Sequence, residues 1–131
     1  MTDRKLIDIA ADAMANSYSP YSRFKVGAAV ECTDGAIFTG CNIENAAFGA
    51  TMCAEAAAIA SAVSAGRRSF KRIAIISDGS AYCFPCGSCR QLLSEFTPEV
   101  EVLCARADGR YVSYPLSSLL PMAFGKELRG T

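Results

Sequence analysis

KRIAIISDGSAYCFPCGSCRQLLSEFTPEVEVLCA, residues 71–105, is the stretch whose reading decides the fold. Residues 71–77 (KRIAIIS) form a continuous apolar run of strand length, and 78–85 reads as a loop. A helix opens at Cys86 or Gly87 and ends near Phe96, before Thr97-Pro98; residues 100–105 then read as another strand. Strand, loop, helix and strand in this order are a βαβ unit. Upstream, residues 4–16 place Leu6, Ile9, Ala10, Ala13 and Met14 at three- and four-residue steps, one face of a helix. Residues 25–33 and 36–40 are β-compatible runs around Asp34-Gly35, which predicts a two-residue hairpin turn with positive φ. A polar loop over 41–51 leads into an alanine-rich helix over 53–65, with Gly66 placed to cap it. Downstream, Asp108-Gly109 precedes a fifth strand over 111–114, and residues 116–124 read as a short helix and a final apolar anchor. The sum is an α/β chain with a five-stranded sheet covered by helices on both faces.

Composition narrows the class of function. A length of 131 residues suits one domain, 1–131, and 51% hydrophobic with 20% charged residues describes a packed globule rather than a disordered chain. Thirteen basic residues balance thirteen acidic ones. With no global field to hold a polyanion, a nucleic-acid partner is not expected. The charged N-terminus, MTDRKLIDIA, does not resemble a signal peptide, which points to the cytoplasm. The most apolar stretch, 54–65, is far too short for a bilayer, so no membrane partner is expected either. Seven cysteines and no histidine leave thiolates, carboxylates and a metal to carry any chemistry.

The chemistry-bearing residues sit at two predicted helix starts. Cys86-Gly87-Ser88-Cys89 is a C-x-x-C behind Pro85, and two thiolates so spaced can share one metal while the helix dipole favours their ionised form. Cys53-Ala54-Glu55 sits at the other start. Together Cys53, Cys86 and Cys89 offer three ligands and leave a fourth position open, as a catalytic zinc site requires. Glu55 lies two residues beyond its ligand, near enough to serve that position without binding the metal.

C-A-E followed by P-C-x-x-C is the three-cysteine form of the zinc deaminase signature. With 18-YSPYSRFKVGAA-29, 40-GCNIENAAF-48 and 119-LLPMAFG-125, the chain resembles the small, three-cysteine zinc type of the cytidine/deoxycytidylate deaminase family over nearly its whole length. The resemblance implies a three-layer α/β/α fold with a five-stranded mixed sheet, and one Zn2+ per chain. It implies hydrolytic deamination of cytidine and deoxycytidine to uridine and deoxyuridine with release of ammonia, in pyrimidine salvage. Glu55 would move the protons and the Ala54 N–H would donate to the pyrimidine O2. Asn42 and Glu44 would grip the ribose 3′ hydroxyl. Ile43, Asn45, Ala46, Ala47 and Phe48 would line the neighbouring sugar pocket, and Phe24 and Phe124 would stack on the base. Phe124 would come from a neighbouring subunit of a homotetramer whose active sites are shared.

One departure matters. Relatives often carry arginine after C-A-E, where it hydrogen-bonds the ligand thiolates; here the residue is Ala56. Three thiolates on one Zn2+ leave a net negative charge, and the helix starts at Cys53 and Cys86, or Arg90, are the groups available to offset it. Two other readings compete. Cys83-x-x-Cys86-x-x-Cys89 resembles part of an iron–sulfur run, against which stand Glu55 and the missing C-P. An antibiotic-nucleoside or polynucleotide substrate would keep the chemistry, but a polynucleotide needs a basic, aromatic channel and an esterified 3′ oxygen does not suit the Asn42–Glu44 pair. Cys32, Cys41, Cys83 and Cys104 read as small buried or incidental residues.

Overall fold

The structure, a computed structural model, describes residues 1–129. Helix α1 spans Asp3–Met14, strands β1 and β2 span Val26–Cys32 and Ile37–Cys41, and α2 spans Ala54–Ser64. Strand β3 (Phe70–Ser77), helix α3 (Gly87–Phe96) and strand β4 (Glu101–Ala105) follow, then β5 (Tyr111–Pro115) and a short α4 (Leu116–Leu119). The strands lie in the order β2-β1-β3-β4-β5. β3 and β4 are parallel, in register from Arg72↔Glu101 to Ile76↔Ala105, and the other neighbours are antiparallel. A parallel pair needs a long crossover, and α3 supplies it. The sheet is mixed, as the sequence implies.

Side-chain alternation divides the core between the two faces. On one, Leu6, Ile7 and Ala10 of α1 pack on Ala29, Ala74, Ile76 and Leu103. On the other, Ala58, Ile59 and Ala62 of α2 and Leu93 of α3 pack with Val30, Ile73, Ile75 and Val102. The result is the expected α/β/α arrangement. Gly40 on β2 lets α2 approach closely, because a Cβ there would lie 2.5 Å from both the Ala54 carbonyl oxygen and the Ala58 nitrogen. That contact fixes where the first turn of α2 sits. Its far end closes as predicted: Gly66 has φ 92°, and the Gly66 and Arg67 amides donate to Val63 and Ala62.

Two local expectations are corrected. The β1–β2 turn is not a two-residue hairpin, because only Gly35 has positive φ (92°). The Cys32 amide instead donates to Ala36 and the Gly35 amide to Cys32, closing a three-residue loop over 33–35, with Asp34 Oδ1 accepting from the Ala36 amide. The tail does not end in an apolar anchor within the chain: Met122 is 98% and Phe124 71% exposed. No helix of the described residues is long and apolar enough to cross a membrane.

Candidate active site

Cys53 is the N-cap of α2 and Cys86 the N-cap of α3, both extended and neither bonding its own helix through its side chain. A serine or aspartate there would turn inward to cap the first amides. The thiols instead face one another. Cys89, buried in the first turn of α3, joins them, and the three sulfurs lie within 4.8 Å of each other, Cys53 Sγ and Cys86 Sγ being 3.6 Å apart. Zinc–sulfur bonds of about 2.3 Å set the edges of a tetrahedral site at roughly 3.8 Å, so this soft, three-thiolate donor set fits zinc. The Cys53 thiol is lowered to about 6, mainly by hydrogen bonding with Cys89 and, against some burial, with Cys86. Cys89 is pushed well above the ordinary thiol range by the Cys53 sulfur and by burial. One thiolate thus forms readily and makes the next costly, a strain that a cation relieves.

The positive ends of two helices converge on these sulfurs. Arg90 serves a different purpose. Its Nε donates to the Pro85 carbonyl (2.8 Å) and its Nη1 to the Leu119 carbonyl (2.9 Å), tying the metal loop to α4. Cys83 is half-buried outside the cluster. Its thiol is pushed up to about 11, chiefly by burial, while a hydrogen bond with the Ser77 side chain opposes the shift. Among the described residues the sulfurs that come together are those of Cys53, Cys86 and Cys89, without Cys83, so the iron–sulfur spacing does not assemble. Cys32 and Cys104 are buried, and Cys41 is half-buried.

Glu55 is buried beside the thiols, at 5% exposure. Burial raises its carboxyl above the ordinary carboxylate range and the Cys53 charge adds to this, while hydrogen bonds from its own amide, the Cys89 thiol and the Cys86 amide oppose it. A carboxyl whose protonated form is favoured in this way is suited to take up and release a proton. Ala54, fully buried, is the first residue of α2, whose amide the helix itself cannot use.

The second part of the site lies on a short extended segment. Ile43 exchanges amide hydrogen bonds with Met52, while the Tyr18 amide donates to Asn42 and the Glu44 amide to Tyr18. Asn42 and Glu44 point towards the segment 17–26, as an extended backbone requires. Asn42 is buried: its Oδ1 accepts from the Val26 amide (3.0 Å) and from Ser17 Oγ, and its Nδ2 donates to the Phe24 carbonyl (2.7 Å). One N–H remains for a ligand. Glu44 Oε1 accepts from the Tyr21 and Ser22 amides (2.9 and 3.1 Å) and its Oε2 from Ser22 Oγ (2.5 Å). The Ser22 hydroxyl, then the two amides, hold the Glu44 carboxyl below its usual range. Glu44 and Asn45 line a depression of about 360 Å³ with Tyr21, Ser22, Phe48 and Thr51. Ile43, Ala46 and Ala47 are exposed and do not line it.

Residues 1–105 match the family model described as the cytidine and deoxycytidylate deaminase zinc-binding region. The chain belongs to this deaminase family. A cytidine deaminase of Sporosarcina psychrophila is 44% identical over 128 residues, covering 97% of this chain and 94% of the relative. One from Halalkalibacterium halodurans is 42% identical, with 97% of each covered. The crystal structure of cytidine deaminase from Burkholderia pseudomallei superposes with a TM-score of 0.92 at 42% identity, over 95% of this chain and all (100%) of that one.

In this deaminase the structure gathers Cys53, Cys86, Cys89, Ala54 and Glu55 at one point. It sets Asn42, Glu44, Asn45 and Phe48 around the 17–24 segment. Phe124 stands apart: its carbonyl accepts from Gln91 Nε2 (3.0 Å), its ring is exposed, and no ring contact among the described residues involves it. A larger cavity of about 650 Å³, lined by Phe96, Leu116, Leu120 and Met122 among others, contains none of the predicted site residues. Sequence reasoning missed the parts played by Ser17, Tyr21 and Ser22. They lie within the quoted 18–29 motif or beside it, but nothing local marks them as partners of residues more than twenty positions away.

Proposed function

We propose that this chain is a zinc-dependent deaminase of free cytidine and deoxycytidine, converting each with one water to the uracil nucleoside and ammonia. The observation that carries it is the buried Glu55 carboxyl against the Cys53–Cys86–Cys89 cluster. Cys53, Cys86 and Cys89 would hold a zinc ion, which when bound would supply an activated water as nucleophile at neutral pH. Glu55 accepts a proton from the attacking water, delivers it to ring N3, and then helps protonate the departing amine as the C4–N bond breaks. The Ala54 amide donates to the pyrimidine O2. The remaining Asn42 N–H donates to a sugar oxygen, and the free lone pair on Glu44 Oε2 accepts from the 3′ hydroxyl. Phe24, 44% exposed, offers a ring face to the base, and Asn45 and Phe48, which line the depression beside Glu44, flank the sugar, with Ile43, Ala46 and Ala47 exposed on the same loop.

The active form is a homotetramer in the cytoplasm, each chain a single domain, with Phe124 of a neighbour closing the pocket against water. The exposed rings of Phe48 and Phe124 and the open rim around Glu44 support that reading, since a lone subunit leaves the pocket half-built. The deciding experiment is ammonia release and loss of cytidine absorbance over a panel of nucleosides, nucleotides, free bases and nucleoside antibiotics. Turnover of cytidine and deoxycytidine well above the rest is expected; a nucleotide or an antibiotic preferred over both would overturn the substrate assignment. Sedimentation of a fully active monomer would overturn the assembly.

A further inference from the structure

Two residues just past β3, Asp78 and Gly79, have no part in the reaction described above. Asp78 is hydrogen-bonded to the segment that carries Phe24, and Gly79 lies against the Phe24 ring. The Asp78 amide donates to the Lys25 carbonyl (3.1 Å), and the Lys25 amide donates to Asp78 Oδ1 (3.2 Å), so one residue grips the other from both sides. The Phe24 ring lies over the same turn. A Cβ at Gly79 would sit 3.2 Å from Phe24 Cε1, and since Gly79 does not have positive φ, what its missing side chain provides is room for that ring. The turn is itself held, the Gly79 amide donating to Ser77 Oγ (3.2 Å) and its carbonyl accepting from the Ala107 amide (3.2 Å). On the other flank, Arg23 adopts a left-handed backbone (φ 59°), unfavourable for a residue with a side chain and kept only where surrounding bonds impose it. Phe24, whose amide donates to Ser22 Oγ and whose carbonyl accepts from Asn42 Nδ2, is thus flanked by a strained residue on one side and by the Lys25–Asp78 pair on the other.

We propose that Asp78 is a positioning residue for the reaction: by fixing the Lys25 backbone it sets the plane of the Phe24 ring and hence the width of the slot that receives the base. The inference rests on the reading of Phe24 as a wall of that slot. Asp78 forms no ion pair among the described residues and lies outside the thiol cluster, so neither a charge partner nor the metal accounts for it.

The test is steady-state kinetics on cytidine for Asp78→Ala and Asp78→Asn, each also in a Phe24→Ala background, with zinc content and thermal unfolding measured alongside. Loss of one such hydrogen bond is worth roughly a fivefold change. Asp78→Ala is expected to raise KM about fivefold with kcat within about twofold and zinc unchanged. Asp78→Asn, which keeps the acceptor oxygen, is expected to restore KM to within about twofold of the parent, and Asp78→Ala is expected to add nothing once Phe24 is alanine. If Phe24→Ala raises KM but Asp78→Ala does not, or if the Asp78 effect persists without the ring, the positioning role is wrong while Phe24 keeps its place. If Phe24→Ala itself leaves KM unchanged, the reading of Phe24 falls and the inference with it.

Discussion

At the metal end of the site, Cys53, Cys86 and Cys89 stand at two helix starts backed by the apolar core, and their thiols make no hydrogen bonds that shape the chain around them. At the sugar end, Asn42 and Glu44 are joined to Ser17, Tyr21, Ser22, Phe24 and Val26 by bonds that are the local structure. The contrast is between groups that the fold holds in place and that bond chiefly to one another, and groups that hold the fold in place while binding. A substitution at the metal end should remove chemistry and spare the fold. One at the sugar end should cost both.

Cys53→Ala should have the largest effect on activity, because it opens the three-ligand set: bound zinc falls from one per chain to a small residual under chelator competition, and turnover falls to background. The circular dichroism spectrum should keep its α/β form, since Cys53 caps α2 without a side-chain bond. Glu55→Gln comes next. It removes proton transfer and should lower turnover on the order of 10²–10⁴-fold while zinc stays at one per chain. Burial already disfavours the Glu55 charge, so the midpoint of thermal unfolding should hold or rise. A large loss of stability would place Glu55 with the sugar-end residues instead.

Asn42→Ala should reverse that pattern. It strands the Val26 amide and the Phe24 carbonyl, at a cost of about 1–3 kcal/mol in stability, and should raise KM together with it. A variant with raised KM and undiminished stability would erase the distinction between the two ends. The smallest effect belongs to pH. Because the Glu44 carboxyl is lowered in the folded chain, the support it lends is fully present above the ordinary carboxylate range, about 4.3, and is lost as pH falls through the lowered value. The Tyr21 and Ser22 amides that donate to Glu44 should therefore stay protected from hydrogen exchange at pH 5 and lose protection only in stronger acid. Loss of protection already at pH 6 would mean that another group holds this segment.

How far each end was legible in the sequence follows the same division. The β3–α3–β4 unit, the helix starts at Cys53 and Cys86 and the Gly66 cap were readable because apolar period, helix capping and turn chemistry act over a few residues. At Asp34-Gly35 the same local reasoning failed. A glycine with positive φ serves both a two-residue and a three-residue loop, and the choice rests on the pairing of Glu31 with Ile37 across the hairpin. The apolar tail misled for a related reason: hydrophobicity says that Phe124 should be covered, not by which surface.

The sequence by itself therefore determined the layering, the three thiols with their neighbouring carboxyl, and the family, since each is written in residues close together or in motifs of fixed spacing. Only the tertiary structure decided that Cys83 stays outside the cluster, that Arg90 binds two carbonyls rather than a thiolate, and that Asn42 and Glu44 are spent largely on the 17–26 segment. Those outcomes depend on hydrogen-bond partners brought together by strand pairing from distant parts of the chain, and a buried polar group takes whichever partner the fold delivers.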